Sequence, residues 1–367
     1  MKSKKKLNKL NTGKIKKAIE KFPSQKSKEN PEKKLKEALS DISKITEDTL
    51  SEHREEVIGG ARKYIYPLQH SKHHFIRLSI GVIITAVICF FAYATLEIYY
   101  FQSTSGFIYG ISEVIPFPVA KAGPSWVSYY SYLFELRRNM HYYQTQQQVN
   151  FSTHNGQLQL NNLKRQAMNK AVLDAYVKQL ASEHNVTVGS SQVNEEVTLV
   201  RDENRLGNSN KVLANVLQDY WGWTMNDFKQ ELKQELLQQA VVAKLDTPVD
   251  QTANNVYSQL KNGADFATLA KQYSDDTSTK DNGGQYSSPI SPSTQSIAPQ
   301  ITAEVFSLKP GQISPIINTG YSLEIVKVIS KSGSYVQAAH IQFNFQPIST
   351  YTNPLEKAHK PSKFISI

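Results

Sequence analysis

The sequence predicts an α+β chain: a single membrane-spanning helix near the N-terminus, then a helical region, then a small antiparallel sheet with surrounding helices. Three observations carry that reading. Residues 78–100, LSIGVIITAVICFFAYATLEIYY, hold one charged side chain, Glu97. Between Leu163 and Val242 apolar residues recur at helix spacing. From Phe306 to Val328, FSLKPGQISPIINTGYSLEIVKV, short apolar runs alternate with bends at Pro310-Gly311 and Thr319-Gly320, the pattern of strands joined by turns.

A chain of 367 residues has room for two or three domains. Its formal charge of +10 is unevenly placed, because roughly half of the 42 basic residues precede Arg77. They stand in a Lys/Glu/Ser segment nearly free of aromatics, whereas a nucleic-acid surface needs basic and aromatic residues interleaved on a folded face. Nucleic acid is therefore not an expected partner. The one cysteine, Cys89, lies in the apolar stretch, which excludes a disulfide framework and a cysteine metal cluster.

Residues 1–75 read as a basic, largely disordered tail, with an amphipathic piece from about residue 46. His70, His73 and His74 lack a carboxylate or Cys to complete a metal site. Residues 76–101 are long enough to cross the ~30 Å apolar core of a bilayer. Arg62, Lys63, Lys72 and Arg77 crowd one end and Tyr93, Tyr99, Tyr100 and Phe101 the other. The positive-inside rule then leaves the tail cytoplasmic and exports everything after Phe101.

Residues 102–245 read as helical. Pro116 and Pro118 bracket an extended piece, and Trp126 to Tyr143 return to helical spacing. VTVGSSQVNEEV supplies a Ser cap for a new helix. Thr224 and Asp227 form a capping box before the stripe Phe228, Leu232, Leu236 and Val242.

In residues 246–343, Val256, Leu260, Phe266, Leu269 and Ala270 can pack a helix pair on a sheet, with Gly263 breaking the pair. Phe306 and Leu308 anchor a short helix ahead of the Pro310-Gly311 turn. Residues 344–367 read as an irregular tail. No GxSxG, HExxH or nucleotide-binding glycine loop is present, so hydrolase and nucleotide chemistry are disfavoured and no cofactor is called for.

Several segments occur in an informative order: VNEEV, WTMNDFKQELKQELL, ANNVYSQLKNGADFATLAKQYSDD, GGQY, SIAPQITAEVFSLKPGQIS and TGYSLEIVKV. Together they resemble the membrane-anchored and periplasmic foldases that include the SurA and PrsA proteins, with a SurA-N-like chaperone domain followed by a parvulin-type peptidyl-prolyl isomerase domain. The resemblance implies a membrane-tethered, extracytoplasmic foldase that turns prolyl bonds in unfolded or proline-containing exported polypeptides. By the same resemblance Asp276 matches the Cys-or-Asp position of the site and Thr319 the Thr before the last strand. Glu324 stands where members carry a strand His. Ile297 and Ile301 take the Met and Phe places of the proline cup, with Phe306 and Tyr286 as further substrate-binding positions. The first-strand His has no counterpart in AVVAKLDTPVDQ. VQAAHIQF resembles that strand displaced downstream with His340 in place, either as a permuted strand of the same domain or as the start of a truncated repeat. An enzyme, a catalytically weak or inactive module that holds unfolded clients, and a tether that docks one fixed partner all remain open.

Overall fold

The computed structural model describes residue 32 and residues 47–65, 68–204, 206 and 209–367. Residues 1–31, 33–46 and 66–67 of the expected tail lie outside the described residues.

Two compact units divide between Val87 and Ile88. In the first, α1 (Glu47–Ile65) precedes α2 (Leu68–Thr95), the helix that carries the apolar run. Leu78, Ile80, Val82, Ile83 and Ile84 are all exposed, so the apolar run of α2 has no polar side to turn toward water. The Thr85 hydroxyl is satisfied within the helix by donating to the Gly81 carbonyl at 2.9 Å.

The second unit begins inside α2. A π turn, Leu96–Tyr100, follows it, and Ala94 and Ile98 are fully buried with Ile108 and Phe117. The residues expected to end the span thus belong to the core of the folded unit. Ser105 caps α3 (Gly106–Val114) by accepting from the Ile108 N–H. Strands β1 (Pro118–Ala122) and β2 (Ser125–Ser128) form a hairpin with Lys121 opposite Trp126. Trp126 is therefore in a strand and not in the helix expected from its spacing. The helix starts later because Ser128 accepts from the Ser131 N–H and caps α4 (Tyr129–Thr145).

Helix α4 packs along α5 (His154–Glu183), burying Tyr132, Leu133 and Leu136 against Leu163, Met168 and Val172. Next come α6 (Ser190–Glu203), α7 (Asn210–Trp221) and α8 (Met225–Leu245). Helix α6 is capped at Gly189, to whose N–H the Gln192 side chain reaches back at 2.9 Å, instead of at the expected Ser. Thr224 and Asp227 do close the capping box of α8.

The sheet part starts with α9 (Thr247–Lys261) and α10 (Phe266–Tyr273), followed by α11 (Pro299–Ser307) and the antiparallel order β3 (Ile317–Asn318), β4 (Ser322–Ser332), β5 (Tyr335–Asn344). In the β4–β5 register, Ile325 faces Ile341 and Val326 faces His340. Odd-numbered residues Leu323, Ile325, Ile341 and Phe343 pack on Val256, Leu260, Phe266 and Leu269. Even-numbered Val326, Val328, Val336 and Ala338 pack on Ile290, Ile301 and Val305. Both faces are covered, so strand alternation here sorts residues between two cores.

Residues 344–367 are not an irregular tail. Helix α12 (Ser349–Ala358) lies on α5, and β6 (Ser362–Lys363) pairs with β1 to give the order β2-β1-β6. Ile365 is buried in the first core, and that burial holds the segment in place. The chain leaves the helical part after Asp246 and re-enters after Gln346, where the Gln346 N–H donates to the Asp246 carboxylate at 2.7 Å.

Candidate functional site

The even-numbered face of the sheet turns polar toward one end, where Glu324 of β4 and His340 of β5 are diagonal neighbours. Asp276 reaches them from the loop after α10. Its carboxylate accepts from the Ser278 N–H at 3.0 Å, the Ser278 hydroxyl at 2.7 Å and the Thr279 hydroxyl at 2.5 Å. That Asx turn fixes the side chain against β5. His340 Nε2 lies 2.8 Å from Asp276 Oδ2 and 3.0 Å from Thr279 Oγ1, and Nδ1 lies 2.8 Å from Glu324 Oε2.

Each ring nitrogen of His340 thus faces a carboxylate, which has no proton to give when ionised, so each nitrogen is required as a donor. Burial pulls the His340 pKa down, but the hydrogen bonds and charges of Glu324 and Asp276 outweigh it and hold the imidazole above its ordinary value. Burial pushes the Asp276 carboxyl up, yet hydrogen bonds from Thr279, Ser278 and His340 win and hold it well below the usual carboxylate range. An ionised Asp276, a protonated His340 and an ionised Glu324 would carry a net −1. The Tyr286 ring stacks on His340 with centroids 4.4 Å apart and 26° between planes. Burial, then the Glu324 and Asp276 charges, raise the Tyr286 phenol.

The loop 284–290 keeps β5 from being an edge. His340 N–H donates to the Gly284 carbonyl at 2.8 Å and the Tyr286 N–H to the Ala338 carbonyl at 3.0 Å. Gly284 has φ +78°, and a Cβ there would stand 2.1 Å from the His340 carbonyl oxygen, so glycine is required for the approach. This settles the two arrangements left by the sequence: β5 is a strand of the same sheet and not the start of a separate repeat.

The expected residues are only partly gathered. Asp276, His340, Glu324 and Tyr286 meet. Thr319 does not touch them: its hydroxyl bonds Ser322, and the Ser322 hydroxyl donates to Glu324 at 3.1 Å. Thr319 is therefore two hydrogen bonds from His340's partner. Ile301 is buried in the core and cannot wall a surface cup as expected, because α11 turns it onto the sheet. Ile297 and Phe306 line a cavity of about 780 Å³ with Pro299, Thr302 and, from α6, Leu199. The Thr302 hydroxyl is buried there without a partner. Tyr286 joins the two regions, since it stacks on His340 and packs in the cluster that holds Ile297, Ile301 and Phe306. Sequence reasoning missed Thr279 and Ser278, although the run DDTST after a helix is itself an Asx-turn signal.

Comparison with known proteins finds two domain models along this chain. Residues 235–330 match the model of the PPIC-type PPIase domain, and residues 68–242 that of the SurA-like N-terminal domain. His340 lies outside the first stretch, and only the fold brings it to the site. The foldase protein PrsA of Caldanaerobacter subterraneus is 41% identical over 81 residues, 21% of this chain and 24% of the relative. PrsA 3 of Bacillus anthracis is 33% identical over 108 residues, 29% of this chain and 36% of its own length. PrsA 2 of Listeria monocytogenes is 36% identical over 133 residues, 29% and 44% respectively. The chain thus spans less than half the length of each of these relatives. The fold and site define a parvulin-type domain joined to a SurA-like helical domain. In carrying both domains in this order the chain resembles the SurA and PrsA proteins.

Proposed function

We propose that this chain is a membrane-tethered, extracytoplasmic foldase whose parvulin-type site, built on Asp276, His340 and Glu324, catalyses cis/trans isomerisation of prolyl bonds in exported polypeptides. The observation that carries the reading is the buried His340 held between two carboxylates, one of which, Asp276, is 20% exposed and can meet a ligand.

The barrier to prolyl rotation comes from amide resonance, which places partial negative charge on the carbonyl oxygen and partial positive charge on nitrogen. A fixed negative group beside the carbonyl disfavours that planar charge distribution and favours the twisted amide, in which it is largely lost. No nucleophile is needed; a preorganised field acts differentially on the two states. Asp276 supplies the exposed charge, His340 and Glu324 hold it in place, and Tyr286 shields the pair from water. Ile297 and Phe306 offer apolar surface for the proline ring. The exposed apolar faces of α2 support anchoring, and the basic excess before Arg77 supports a cytoplasmic N-terminus.

Exchange NMR on Ala-Xaa-Pro peptides tests the reading. Acceleration that is lost in Asp276→Ala and His340→Ala supports it; no acceleration by the folded wild-type chain overturns it. One feature favours a second reading, a holding module without catalysis. The 780 Å³ cavity draws its walls from α6 and α11, and they include none of the three network residues. That module would bind unfolded clients and leave prolyl exchange unchanged.

A further inference from the structure

Helix α3 presents three faces. Ile108 and Ser112 are buried in the helical part, and Glu113 is exposed. The third face, Phe107, Gly110, Ile111 and Val114, follows the i, i+3, i+4, i+7 spacing of one helix stripe and is apolar throughout. Phe107 is 61% and Val114 81% exposed. With Phe90 of α2 this face encloses an open cleft of about 480 Å³ whose lining holds no polar side chain. Its floor is open as well, since a Cβ added at Gly106 or Gly110 would meet no atom within 4 Å.

The position of α3 beside α2 says what covers this face. Rings of Tyr93 and Phe107, and of Phe91 and Phe117, approach to 6.4 Å. Phe90 precedes Glu97, the charge near the end of the apolar run, by ~10 Å of helix axis. Material packed beside Phe90 therefore lies ~10 Å to the apolar side of that charge, within the depth of ~5–10 Å at which interfacial helices sit. Holding α3 in water would withdraw Phe90 and its neighbours from the bilayer. The run from Arg77 to Phe90 would then have to span a ~30 Å hydrocarbon layer with ~20 Å of helix.

We propose that α3 is an interfacial membrane helix, with Phe107, Ile111 and Val114 immersed in the leaflet from which the chain emerges and a phospholipid acyl chain filling the cleft at Gly110. The proposal rests on the reading of α2 as a membrane span. It makes the bilayer a direct ligand of the folded unit and fixes the helical part against the membrane surface instead of leaving it on a free stalk.

Site-directed spin labelling of the full-length chain tests it, in phosphatidylcholine/phosphatidylglycerol vesicles and on a Cys89→Ala background. Single labels go at Val114→Cys, at Ile83→Cys as the span control and at Ser182→Cys as the aqueous control. Collision rates with oxygen and with a water-soluble nickel chelate are measured. The expected result is a severalfold higher oxygen-to-nickel ratio at 114 than at 182, as at 83. A water-like ratio at 114 with a lipid-like ratio at 83 overturns the interfacial helix and leaves the span intact. A water-like ratio at 83 overturns both. Shielding of position 114 from both reagents overturns the lipid assignment. In that case, spin-spin broadening that disappears on dilution with unlabelled protein identifies a second copy as the occupant, and its absence identifies another protein segment.

Discussion

His340 and Glu324 stand two residues out of register on facing strands, Nδ1 to Oε2 at 2.8 Å, with both side chains almost wholly buried. A buried imidazole without such a partner loses its proton readily, because burial penalises the charged form. Glu324→Gln keeps the shape and removes the charge, so the His340 ring is expected to titrate at lower pH than in the wild type. Nitrogen-15 NMR of the ring reads this directly. An unchanged titration would mean that Glu324 does not hold the proton on His340.

Catalysis should divide the expected site residues. Asp276→Ala removes the exposed carboxylate, and a drop on the order of a hundredfold in the rate of prolyl exchange is expected. Thr319→Ala removes a group two hydrogen bonds away and should cost severalfold at most. Equal losses in the two variants would show that Thr319 contacts substrate and that the assignment of roles is wrong.

Stability should depend on pH in a defined sense. The Asp276 carboxyl is held below its ordinary 3.8, so its stabilisation is present above 3.8 and disappears as pH falls through the folded value. The His340 ring is held above its ordinary 6.5, so its stabilisation is complete below 6.5 and disappears as pH rises through the folded value. Both act together between 3.8 and 6.5. Denaturant midpoints measured across that range should be highest there and fall on either side. His340→Gln should flatten the alkaline side; an unaltered alkaline slope would assign it to another group.

Gly284→Ala places a methyl group against the His340 carbonyl and forces a side chain into a positive-φ conformation. Strain of roughly 1–3 kcal/mol is expected from the backbone alone. The His340 amide resonance and the prolyl exchange rate should change together. A silent substitution would show that the loop 284–290 does not position β5.

Ile365→Ala empties a seat in the first core and should cost about 2–5 kcal/mol. Because the seat belongs to the helical part, thermal unfolding followed by the Trp221 and Trp223 signal should shift, while the His340 resonances stay in place. Loss of the His340 signals instead would place the effect in the sheet part.

Much of this was legible from local pattern. The long apolar helix α2, the capping box at Thr224 and the helix pair Val256 to Ala270 are written in patterns local to each segment. The displaced strand around His340 was also visible as alternation, although its place in the sheet was not. What escaped was set at long range or by few residues. Strand β2 is four residues long and runs straight into α4, so Trp126 reads as part of the helix. Strand β6 has two residues and owes its position to β1, more than two hundred residues upstream. Ile301 was correctly read as apolar, but only the orientation of α11 decides that it faces the sheet and not a ligand.

The interrupted helical part imposes an order of events on the chain as it is made. Its core lacks Ile365, and its small sheet lacks β6, until α12 and the residues beyond it have been made, after the whole parvulin-type insertion. The insertion closes on contacts between Asp246 and Gln346 and can assemble first. The sheet part would then be folded while the helical part is still open, and every molecule would pass through a stage in which the first unfolded polypeptide beside it is its own.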